Sequence, residues 1–93
     1  MALALKVSKV ETIAGNFFVE PHIITGQEAI DKKIVLQHTP TKPQEVMMDI
    51  PGGTIQRYGT DFTIINGNEV SWDGYALETL LEEDDNIRIT YIL

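Results

Sequence analysis

The chain has no cysteine among its 93 residues. A disulfide scaffold, a thiolate metal site and a cysteine nucleophile are all excluded by that count. Long apolar runs are lacking too. Nothing approaches the roughly 18 consecutive apolar residues of a membrane span, so no membrane partner is expected. The opening Met1-Ala2-Leu3-Ala4-Leu5-Lys6 is too short for the apolar core of a signal peptide and has no basic leader. No export address is expected from it. Positive charge is scarce: seven basic residues stand against 14 acidic ones, a net charge of −7. The basic groups Lys6, Lys9, Lys32, Lys33, Lys42, Arg57 and Arg88 are scattered rather than striped. Phosphate backbones would be repelled over most of such a surface, which argues against a nucleic-acid partner.

What is present is a succession of short β signals. Ninety-three residues suit one domain. A chain of this size buries only roughly 60 to 65% of its unfolded surface, so a partner subunit would help it. The most decided stretch is Tyr58 to Trp72. Strands over Asp61–Ile65 and Glu69–Trp72 are joined by Asn66-Gly67-Asn68, and Asn-Gly is a strong hairpin signal. A two-residue loop would mix polar and apolar groups on both faces. A three-residue loop instead pairs Ile64 with Val70, Phe62 with Trp72, Thr63 with Ser71 and Ile65 with Glu69, which makes one face wholly apolar. The three-residue loop is therefore expected, with Asn68 in the left-handed bulge position.

Elsewhere, Leu3, Leu5 and Val7 alternate, and Val10 and Thr12 continue on the opposite parity, as a strand with a bulge near Ser8-Lys9 would. Ala14-Gly15-Asn16 reads as a turn. Phe17 to Ile24 is a strand whose Pro21 marks an edge or a bend. Thr25-Gly26-Gln27-Glu28 opens a loop or a single helical turn. Ile34-Val35-Leu36, within Lys32–Gln37, is a continuous apolar run that could be covered on both faces. Thr39-Pro40-Thr41-Lys42-Pro43 is a rigid extended connection. Glu45 to Ile50 is a strand with Val46, Met48 and Ile50 on one face, ended by Pro51-Gly52-Gly53. Thr54 to Arg57 is another. Leu77, Leu80 and Leu81 share one face of a short helix near residues 75 to 81. Asn86 to Leu93 closes the chain, with Ile87, Ile89, Tyr91 and Leu93 on one side. The fold class expected is mainly β, a single-domain antiparallel sandwich or small barrel with one short helix near 75–81.

Candidate chemistry is thin. The Glu82-Glu83-Asp84-Asp85 run could hold a hard cation, but it lacks the spacing of a calcium loop and reads as a solvated loop. His22 and His38 are far apart in sequence, without a ligand or general-base partner at a useful spacing. Asp61 reads as a turn cap rather than a catalytic acid. Gly52-Gly53 has no following lysine and helix, so it is a turn rather than a phosphate loop. Trp72 belongs to the core, while Tyr75 is open between a structural role and stacking on a sugar. No nucleophile, base and orienting group come together. No enzyme activity, no metal and no cofactor are expected.

One longer pattern spans about two thirds of the chain. An aliphatic strand and Thr-Pro (Ile34-Val35-Leu36, Thr39-Pro40) lead to Gly52-Gly53, Tyr58-Gly59 and Asp61-Phe62-Thr63. Ser71-Trp72-Asp73-Gly74, Leu77, Leu80-Leu81 and Asp85-x-Ile87-Arg88-Ile89-x-Tyr91 follow. In this order they resemble a small β module recurrent in structural proteins of tailed bacteriophages, over residues 33 to 91. Many such modules carry Gly just before the Asp of the last loop, where this chain has Glu82-Glu83-Asp84. The resemblance implies a non-enzymatic virion protein, made in the host cytoplasm, whose partners are virion proteins and copies of itself. A capsid decoration or cement subunit on the major capsid lattice suits a short free-standing chain. A tail or fibre accessory, or a receptor-binding module using Tyr75, is the alternative. Residues 1 to 30 fall outside the family-like core and could serve attachment or oligomerisation. Within them Leu3, Leu5 and Val7 form either a strand of this domain's own sheet or one added to a neighbouring sheet edge.

Overall fold

The computed structural model describes residues 17–93, so Leu3, Leu5, Val7 and the strand and turn expected before Phe17 lie outside the described residues. Seven strands follow: β1 (Phe17–Ile23), β2 (Lys33–Val35), β3 (Met47–Asp49), β4 (Ile55–Arg57), β5 (Thr63–Ile65), β6 (Glu69–Ser71) and β7 (Asn86–Ile92). They form two antiparallel sheets, one ordered β1-β7-β3-β4 and the other β2-β6-β5. The architecture is mainly β and consistent with a small sandwich.

Alternation on β7 fixes the inner face of the larger sheet. Ile87, Ile89 and Tyr91 are fully buried, and Met48 of β3 joins them. From the smaller sheet come Ile34, Val70 and Leu36, and Phe62 and Trp72 close the core between the layers. Val46, Met48 and partly buried Ile50 share a face as their spacing demands. Val35 does not follow the expectation for its run. It is 56% exposed while Ile34 and Leu36 are buried, because only one face of the smaller sheet packs on the core and simple alternation takes over.

The hairpin register is the one that gives an apolar face: Thr63 opposite Ser71, Ile64 opposite Val70 and Ile65 opposite Glu69. Its left-handed residues, however, are Asn66 (φ 52°) and Gly67 (φ 83°), not Asn68. Asn68 is held in line with β2 by the Leu36 amide, which donates to its carbonyl at 2.8 Å. The strands are also shorter than expected. Asp61 is drawn into a turn whose Gly59 amide donates to Phe62 O at 2.7 Å, and Trp72 N pairs with Lys32 O rather than across the hairpin.

Helix α1 (Gly26–Asp31) occupies the stretch read as a loop or single turn. Thr25 and Glu28 form a reciprocal capping box, Glu28 N to Thr25 Oγ1 at 3.1 Å and Thr25 N to Glu28 Oε1 at 2.9 Å. The Leu77–Leu81 region holds a 3-10 turn at Ala76–Thr79. The turn ends at Thr79, so the three leucines do not line one face: Leu77 and Leu81 are buried, whereas Leu80, at the C-cap, is 60% exposed. Residues 17–31, outside the family-like core, supply β1 and α1, and β1 pairs with β7 along its whole length.

Candidate functional site

β1 is turned opposite to what its composition suggests. Phe17, Val19, Pro21 and Ile23 share one parity, yet that side is exposed, and Glu20 points into the protein at 3% exposure. Glu20 tolerates burial because donors converge on it. Tyr91 Oη donates at 2.6 Å and the Gln37 amide at 3.1 and 3.2 Å to its two oxygens. The His38 amide donates to Tyr91 Oη at 3.3 Å. Burial and the neighbouring Glu20 carboxylate both push the Tyr91 phenol well above its ordinary range. This cluster ties β1 and β7 to the chain leaving β2, and so joins the two sheets. It is a structural clip, enclosed and out of reach of a substrate.

Turning Glu20 inward leaves the outer face of the larger sheet unusually apolar. Two rows cross all four strands there in register. One runs Val19, Thr90, Met47, Arg57; the other runs Pro21, Arg88, Asp49, Ile55. Phe17, Val19 and Ile55 are each about half exposed, and Met47 and Tyr58 about a third. A groove lined by Val19, Met47, Asp49, Ile55, Arg88 and Thr90 indents this face. A second, lined by Phe17, Glu45, Met47, Arg57 and Tyr58, adjoins it across Met47. Arg88 is ion-paired with Asp49. Both arginines of the chain therefore sit on this face. Aromatic, Met and Arg side chains are the types enriched in protein interfaces. What the face offers chemically is exposed apolar area beside two guanidinium groups.

The residues singled out from sequence are dispersed. Tyr75 is half-buried, and its backbone amide donates to Trp72 O at 3.0 Å as it leads into the 3-10 turn. Trp72 is 1% exposed and belongs to the core, so the two rings do not make a common platform. His22 meets Glu28 at 2.7 Å. Burial alone would raise the Glu28 carboxyl, but the Thr25 amide and His22 outweigh it and hold it below its ordinary range. His38 packs edge-on against Phe18, ring centroids 4.8 Å apart. Asp61 caps its turn by accepting from the Arg57 amide at 2.8 Å. In the acidic loop, Asp85 accepts from Glu82 N at 2.8 Å and the Asp84 amide donates to Ile24 O at 2.7 Å. Among the described residues no three His, Asp or Glu side chains gather in a metal-holding group.

The outer-face residues Phe17, Val19, Met47, Ile55 and Arg57 were not singled out by sequence reasoning. The available signal was β1 itself: apolar residues dominate one parity and Phe18 stands on the other, so both faces require cover. No family model matches the chain, and neither curated proteins nor solved structures yielded a match.

Proposed function

We propose that this chain is a non-enzymatic virion structural subunit, a capsid decoration or cement protein attached in many copies to a major capsid lattice. The observation carrying this reading is the division of its surface. One sheet face is apolar and contains both arginines, whereas much of the remainder is acidic, including the Glu82–Asp85 loop. The apolar face suits protein association. The acidic remainder suits docking on exposed basic groups and keeps free copies from clumping. The sequence pattern over residues 33 to 91 supplies the virion context.

The test is a denaturing gel of purified particles with band quantitation. Hundreds of copies per particle support decoration. A dozen or fewer support the tail or fibre reading, in which Tyr75 contacts sugar. Absence from particles refutes both.

A further inference from the structure

We propose that the outer face of the β1-β7-β3-β4 sheet is closed by the same face of a second copy, giving an isologous dimer. The inference uses the surface division invoked for the virion reading, but not the virion assignment itself.

Three observations favour a second copy over another occupant. The first is area. Phe17, Val19, Ile23, Met47, Ile55 and Tyr58 are each between 36% and 61% exposed. Their exposed fractions amount to roughly 500 Å², at the upper end of the largest patch on an ordinary monomer. With Pro21, Thr90 and the arginine stems included, the face approaches the about 800 Å² per partner of a stable interface.

The second is charge. Arg57 and Arg88 on this face are offset by Asp49 within it and Glu45 at its rim. The face is thus near neutral on a chain carrying −7. Elsewhere the described surface carries more carboxylates than lysines. Lys32 pairs with Asp73 and Glu78, and the Glu82–Asp85 run adds four further carboxylates. An isologous contact requires a patch that complements itself, and a balanced set of two arginines and two carboxylates meets that requirement.

The third is shape. Two grooves flank Met47 near the middle of the face. A flexible thioether between two hollows is suited to fill the partner's hollow while the partner's Met47 fills its own. Sheet faces of this kind stack about 10 Å apart with interdigitating side chains.

Sedimentation equilibrium of the full chain tests the proposal. At about 100 µM, where interfaces of this size are populated, the expected mass is twice 10.4 kDa. Met47→Asp at the centre and Arg57→Glu in the first row should each weaken self-association at least ten-fold, with native circular dichroism. Val35→Asp, on the other sheet and more exposed than Met47, should leave the dimer intact. Should Met47→Asp fail to fold, Arg57→Glu decides. A monomeric parent, a dimer surviving in the folded face variants, equal loss in Val35→Asp, or growth beyond two copies would each overturn the proposal. None of these outcomes bears on particle copy number, so the virion reading stands or falls separately.

Discussion

Replacing Tyr91 by Phe removes one oxygen from the interior and leaves the ring's packing in place. That oxygen donates to Glu20 at 2.6 Å, the short length of a charge-assisted bond, and accepts from the His38 amide. A hydrogen bond to a charged group contributes about 1.5 to 3 kcal/mol net. After the substitution, Glu20 is still buried and keeps only the Gln37 amide among the donors described. Tyr91→Phe is therefore expected to cost about 2 kcal/mol. Glu20→Leu alone should cost at least as much, because the phenol and the Gln37 amide are then left unsatisfied. The double variant should be less destabilised than the sum of the two, by 1 kcal/mol or more, since contacting partners are non-additive. Urea unfolding followed through the single, buried Trp72 gives the measurement. With a slope of about 1 kcal/mol per molar for a domain this small, the midpoint should fall by about 2 M in Tyr91→Phe. A midpoint unchanged within error, or strictly additive single and double variants, would refute the clip.

Trp72→Ala should destabilise by about 3 to 5 kcal/mol in the same assay, because the fully buried ring fills space between the layers; parent-like stability would mean the ring is dispensable to the core. Asp84 holds φ 73° with an L side chain, so Asp84→Gly should stabilise by about 0.5 to 1 kcal/mol by relieving backbone strain and thinning a run of like charges; a lower melting temperature would count against this. Thr25→Ala removes the helix cap and should cost about 1 kcal/mol, with protection of the Glu28 amide against hydrogen exchange lost first. Glu28 is held below its ordinary value of 4.5. Its contribution is therefore complete above that pH and is lost as pH falls through the depressed folded value. Acid titration of melting temperature should show a shallower low-pH fall in Glu28→Gln than in the parent.

What the sequence determined by itself is chiefly what short-range pattern controls. The Asn66-Gly67 turn and the alternation Ile64, Val70 fix the hairpin register, since a one-residue slip would expose its apolar face. Alternation in β7 fixes which side is buried, and Pro21 marks β1 as an edge. Helix α1 was also written locally, in the Thr25-x-x-Glu28 capping box. Leucine spacing, by contrast, overstated the turn at 76–79, because at that length neighbouring contacts decide between 3-10 and α winding. The orientation of β1 is beyond local pattern. Its parity favours burying Phe17, Val19 and Ile23, and only the tertiary structure brings Tyr91 and the Gln37 amide to Glu20, from 71 and 17 residues away in sequence. Those long-range hydrogen bonds turn the acid inward and the apolar parity outward. The candidate interaction surface is the consequence of that inversion, assembled from four strands that share no motif.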